Sequence, residues 1–324
     1  MIHPIILQSQ TRIGNAKQNA YQNVKLNVWL HIRIMNITIL CKMTKFKIVP
    51  SKAKTIPSPP EIILTRYLYI KEEVLLSLLF AILDKNCDEA LFWGYELYHS
   101  GFDEDVFDYL MAMYLQIFRS KNPRLESFLK AQYQEWKEHT DRFWILATII
   151  SNLVARQYRI NEFANQSPSI EPTTRDRQFY ILAESKNVKH HNTLDTSTDI
   201  PARSILKTVC KYATRKYAID MFECSHKDSP IEDVAKWYLC DWLYYASFSP
   251  IWNDRLTQYG GKRDDTNKCI IFDDDARAEL FYEQYEYESC EQSIEVQCKS
   301  IIIDKIRPVQ MTWVVFCEKY GEKL

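Results

Sequence analysis

The tightest constraint on this chain is the helical spacing of its hydrophobic residues between Tyr67 and Tyr158. Over about Ile70–Asp84, residues Val74, Leu75, Leu78, Leu79 and Ile82 recur at three- and four-residue steps, which sets them on one face of a helix. Leu76, Phe80 and Leu83 widen that face, so this helix is expected to be buried on most sides. Asn86 or Asp88 can cap a second helix, and Gly101 sits where a left-handed residue would end it. A third helix over about Glu104–Arg119 carries Val106, Leu110, Met113, Tyr114 and Ile117. Asn122-Pro123 reads as the N-cap and first residue of a fourth, with Glu126 near its positive end, and Thr140-Asp141 opens a fifth. Short connections between such helices predict antiparallel hairpins, arranged as a bundle or a short helical stack. The Glu89-Ala90-Leu91…Trp93…Glu96-Leu97 pattern does not return after about 34 residues, so tetratricopeptide repeats are not expected.

The rest of the chain divides around this helical body, residues 61–160. Between about Asn161 and Pro201 the hydrophobic period fails and Ser, Thr, Asn, Asp and Pro dominate, which predicts a flexible linker over 161–201 and a domain boundary. The apolar island Phe179–Ala183 is expected to dock on the body as a strand or helical turn. Residues 202–324 then read as a C-terminal helical region. Within it Ser229-Pro230-Ile231-Glu232 has the form of a capping box, and Ser249-Pro250 opens a short helix that ends at Gly260-Gly261. A hairpin over Lys262–Phe272 turns at Asp264–Asn267, and Asp273 can cap the helix after it. A further helix is expected near Gln292–Ile306, with Pro308 as a break and Met311–Tyr320 as a final apolar segment. The fold class is therefore mainly α, with a small C-terminal β-hairpin.

Charge is strongly separated. Residues 1–60 hold nine Lys/Arg and no Asp or Glu, while the remainder holds 32 basic and 42 acidic side chains. The leader reads as a basic arm for nucleic acid or a targeting peptide, or else residues 1–42 are not native and the protein starts at Met43-Thr-Lys-Phe-Lys. Leu26–Ile34 is too short to span a bilayer and is interrupted by His31 and Arg33, so no membrane role is expected. Only six glycines are present, with neither a Walker-type run nor G-x-G-x-x-G, which argues against a nucleotide-cradling enzyme. Nine cysteines without C-x-x-C predict reduced, buried thiols and a cytoplasmic setting.

Chemistry-bearing clusters are sparse. Asp273-Asp274-Asp275 lacks the alternating ligands and central glycine of a calcium loop, and helix capping accounts for it more simply. Cys224-Ser225-His226, His190-His191 and Cys210 are zinc-ligand types at no recognisable spacing. There is no G-x-S-x-G elbow. No cofactor, metal site or catalytic residue is therefore assigned. Two binding patterns remain. Arg203, Lys207, Lys211 and Arg215 stand at four-residue steps on a helix expected over Arg203–Met221, and with Lys216 they could meet phosphates. Trp237, Trp242, Tyr245 and Trp252 could form a partner-binding hot spot. The alternative for each is ordinary structure: a solvated helix face for the cations, core packing for the aromatics. From Asp273 to Glu295 nine acidic residues meet one basic residue, with Phe281, Tyr282, Tyr285 and Tyr287 threaded among them.

The stretches Tyr244–Trp252, Phe281–Tyr285 with Glu291-Gln292-Ser293, and Tyr67–Ser100 resemble uncharacterised proteins encoded by large nucleocytoplasmic DNA viruses. That resemblance covers about Met43 to the C-terminus. It implies a viral protein of the infected cell's cytoplasm or the particle, and it carries over no catalytic residue. The expected role is a non-enzymatic scaffold or interaction protein with a protein partner and no cofactor. The second expectation is a nucleic-acid-associated factor, and the third is an enzyme whose site is assembled across the linker.

Overall fold

The computed structural model describes residues 62–160, 180–191, 200–222, 224–301 and 308–321. The basic leader lies outside them, as do residues 161–179 and 192–199 of the expected linker. The fold is mainly helical with one small sheet, as the periodicity predicts.

Five helices build the first half: α1 Lys71–Leu83, α2 Cys87–Tyr98, α3 Asp103–Met113, α4 Leu125–Glu138 and α5 Trp144–Ala155. A π-helical turn, Tyr114–Phe118, extends α3. Helix α2 packs against α1, α3 and α5, so the hairpins close around it as a bundle and do not run on as an open stack. Gly94 lets α5 approach, since a Cβ there would lie 2.4 Å from Ile150 Cδ1. Asn86 caps α2 by accepting from the Glu89 amide. Gly101 ends the following turn at φ +86°, and a Cβ there would strike Pro250.

Several expected caps differ, among them Thr140-Asp141, since the fifth helix starts at Trp144 with Phe143 at its cap position. At Asn122 the side-chain amide donates to the Phe118 and Gln157 carbonyls, so α4 starts later, at Leu125. Pro230 occupies the cap position of the helix it precedes, and no side chain closes a capping box there. The described part of the apolar island, residues 180–183, docks on the body, but as an irregular segment and as neither the expected strand nor helical turn. Asn152 of α5 accepts from the Ile181 amide and donates to its carbonyl, Thr148 Oγ1 accepts from the Ala183 amide, and Tyr180 stacks on Phe128 at 4.0 Å. A single turn, α6 Ser185–Val188, follows.

The second half contains α7 Ala202–Val209, α8 Ile231–Leu239, α9 Trp242–Ala246, α10 Pro250–Gln258, strands β1 Gly261–Asp264 and β2 Cys269–Phe272, then α11 Asp275–Tyr285, α12 Ile294–Ser300 and α13 Trp313–Tyr320. The strands pair antiparallel, Gly261 opposite Phe272 and Asp264 opposite Cys269. Asp274, one residue beyond the expected Asp273, caps α11 by accepting from the Arg277 amide at 2.8 Å. Both halves contribute to one continuous apolar core. Trp252 Nε1 donates to the Thr65 carbonyl at 3.1 Å, the Leu64 amide to the Tyr245 carbonyl, and Tyr320 Oη to Asp84.

Candidate functional site

The fold holds two buried charge clusters, of which the second fastens the halves together. In the first, Glu96 on α2 accepts from Thr65 Oγ1 (2.6 Å), the Tyr67 amide (3.0 Å) and Arg66 Nε (3.0 Å). Burial raises the Glu96 carboxyl above the usual carboxylate range, against the pull of Arg66 and Thr65. Nearby, Tyr95 stacks between His99 and His191. Burial, with Arg66 close by, holds His99 down to about 3, and burial with His190 holds His191 down to about 4.

In the second cluster, Glu73 on α1 is 2% exposed and faces His226, which is 4% exposed, with Nε2 at 2.9 Å from Oε1. Thr214 Oγ1 donates to its other oxygen at 2.5 Å. His226 Nδ1 lies 3.7 Å from Glu72, whose carboxylate also accepts from the Ser225 amide and hydroxyl. Burial pulls the imidazole pKa down, but hydrogen bonds and charge from Glu72 and Glu73 outweigh it and raise it to about 9. Burial likewise opposes ionisation of Glu73, and His226, Lys216 and Thr214 overcome it, leaving that carboxyl below its usual range. Both groups are closed to solvent, so this dyad is an ion pair of the interior. It has the composition of an acid–base pair and lacks the access one needs.

The open site lies elsewhere. A groove of about 1030 Å³ is bounded by the end of α8, by α9, by the hairpin turn and β2, by α11 and by the segment after it. Helix periodicity builds its acidic wall. Asp275, Glu279 and Glu283 follow one another at four-residue steps on α11, Glu286 stands just past its end, and all four line the groove. Phe281 and Tyr285 point the other way, into the core against Tyr259. Asp241 and Glu288 add two more carboxylates, against one lining amine, Lys268. Trp242, Tyr244 and Tyr282 supply aromatic surface, Tyr282 being 37% exposed. Cys240, Cys269 and Cys290 are exposed thiols on the same walls, which corrects the expectation of uniformly buried cysteines; Cys210 and Cys224 are the buried ones.

Arg203 forks onto Glu286 at 2.6 and 2.9 Å, and Lys236 stands 3.7 Å from Asp241. Among the described residues no cation pairs with Asp275, Glu279 or Glu283. Like charges four apart on a helix each cost a few tenths of a kcal/mol. The groove therefore holds unneutralised charge that a cationic occupant would relieve. Glu288, on its rim, has φ +32°, a left-handed conformation rare outside glycine. Gln292 Nε2 donates to the carbonyls of Tyr287 and Glu288, and Ser289 Oγ donates to that of Tyr238, which together pin this bend.

The basic stripe does not exist as one helix face. Helix α7 ends at Val209, and the chain runs through an irregular stretch into a 3-10 helix, Lys216–Met221. Arg203 is committed to Glu286 and Glu291, and Arg215 to Glu89 at 2.8 Å and Asp84 at 3.5 Å. Lys216 is buried, with Nζ on the Cys298 carbonyl. Lys207 and Lys211 stay exposed, Lys211 lying over the Tyr212 ring. Among the aromatics, Trp237, Trp242, Tyr245 and Trp252 are all buried, so they pack the core and do not form an exposed hot spot. Trp242 alone also lines the groove. Asp273 pairs with Lys262 and Arg277, and the described residues hold no His/Cys/Asp/Glu cluster with metal-site geometry. Among the described residues no helix is long and apolar enough to cross a membrane. Comparison with protein-family models, curated proteins and solved structures gives no match.

Proposed function

We propose that the protein is a non-enzymatic interaction module whose α11 groove binds a Lys/Arg-rich segment of a protein partner. One observation carries this reading: six carboxylates and three aromatic rings line a groove of about 1030 Å³ that contains a single amine. Carboxylates at helical spacing would pair with a run of cations, and the exposed Tyr282 ring offers a face to an ammonium or guanidinium group. The same charge repels phosphate, and three of the five cations of the expected nucleic-acid stripe are already engaged by other groups of the chain, Arg203 at the surface and Arg215 and Lys216 within the fold. The protein reading is therefore favoured over the nucleic-acid one. On the resemblance to proteins of large nucleocytoplasmic DNA viruses, such a module would act in the cytoplasm of the infected cell or in the particle.

The test is fluorescence anisotropy with a labelled dodecapeptide of alternating lysine and serine. Expected are saturable binding that weakens as salt rises and a loss of about tenfold or more in Glu279→Lys/Glu283→Lys. Equal affinity in that double variant would overturn the groove as the binding site.

A further inference from the structure

We propose that the chain's own lysine-rich leader, Lys45–Lys54, occupies the α11 groove in cis and competes with the basic partner. This rests on the groove reading above and names a regulator of the same site. Three observations carry it. The first is charge complementarity. Residues 43–60 contain Lys45, Lys47, Lys52 and Lys54 and no acidic residue, whereas Asp275, Glu279 and Glu283 carry no ion-pair partner among the described residues. These four lysines lie after Met43, so the argument is the same whether or not residues 1–42 belong to the protein.

The second is where the leader enters the fold. The described chain begins at Ile62, and the Leu64 amide bonds to the carbonyl of Tyr245, the neighbour of groove-lining Tyr244. Lys268, on the groove wall, bonds the hydroxyl of the same Tyr245. The third is reach. Lys54 precedes Ile62 by eight residues, and an extended chain covers about 3.3 Å per residue, so Lys54 can lie up to about 26 Å from that anchor and Lys45 farther. Pro57, Pro59 and Pro60 bias the intervening stretch toward extended backbone, which favours a span over a local coil. A tether this short gives an effective concentration of order millimolar, enough to hold a weak cis contact.

The experiment compares the unaltered full chain with Lys45→Glu/Lys47→Glu/Lys52→Glu/Lys54→Glu. These four positions lie outside the described residues. The probe is the same lysine-serine dodecapeptide, paired with carbodiimide coupling of the unaltered monomer and peptide mass mapping. The proposal predicts about tenfold tighter peptide binding by the leader variant. It also predicts amide crosslinks from Lys45–Lys54 to Glu279 or Glu283 in the monomer band. Equal affinities without those crosslinks overturn cis occupancy and leave the groove as a partner site. Crosslinks found only between copies overturn it in favour of docking in trans. Failure of the leader variant to bind the peptide at all overturns the groove reading, and this proposal with it.

Discussion

The Glu73–His226 pair should give the protein a stability optimum near pH 6.5 and a fall above it. Stability is lost wherever the folded state binds more protons than the unfolded one as pH rises. An unfolded histidine titrates near 6.5 and folded His226 near 9, so its contribution is complete below pH 6.5 and disappears as pH climbs through 9. With about 1.4 kcal/mol per pH unit, and the unfolded imidazole half titrated at pH 6.5, the loss of this contribution between pH 6.5 and 8 comes to about 1 to 2 kcal/mol. His226 is closed to solvent, so screening removes little of this. His99 and His191 act with the opposite sign. Their folded values are depressed, so their unfolded forms take up protons first as pH falls below 6.5, and stability declines on the acid side. The amines of buried Lys216 and exposed Lys85, each lowered to about 8, already titrate within this interval and oppose the fall, so the informative quantity is the difference between the native chain and a His226 variant over pH 6.5–8. The assay is urea unfolding at pH 6.5 and 8 of the native chain and of His226→Gln, which keeps an N–H donor toward Glu73. Across that interval the native protein should lose about 1 to 2 kcal/mol more than the variant. An identical loss in both proteins would refute the assignment of the slope to this pair.

Other substitutions test the remaining joints of the fold. Arg66→Met strands the buried Glu96 carboxylate and should cost about 3–5 kcal/mol in urea unfolding, with Glu96 then taking up a proton in the native state. Gly101→Ala forces a left-handed side chain against Pro250 and should lower stability by about 2 kcal/mol, read as a fall in Tm. Trp252→Ala should cost about 3–5 kcal/mol, because a fully buried indole leaves a cavity and the Thr65 carbonyl loses its donor; full native stability in this variant would contradict a core role. Glu279→Lys should change stability by less than about 0.5 kcal/mol while weakening peptide binding, since the side chain is exposed.

Helices were legible in the sequence because amphipathic spacing is local: α1 to α5 fall where their apolar residues recur. The closure of the bundle around α2 was not, because it depends on Gly94 meeting Ile150 across 56 positions. The basic stripe misled for a related reason. Four cations at helical spacing imply one face only if the helix continues, and here Thr214 and Lys216 are drawn into the interior by Glu73, a partner about 140 positions away. Nothing near His226 announces Glu73 either. The acidic run from Asp273 to Glu295 was visible as composition, together with its aromatics. Its groove was not, because the opposite wall comes from Trp242, Tyr244 and the hairpin turn.

The most direct test of the acidic groove as a basic-segment site is hydrogen–deuterium exchange of the full chain with and without the lysine-serine peptide. The account predicts slowed exchange confined to α9, the 267–270 turn and strand, and 275–290. Slowed exchange centred instead on Lys207 and Lys211, or spread evenly over the surface, would contradict it.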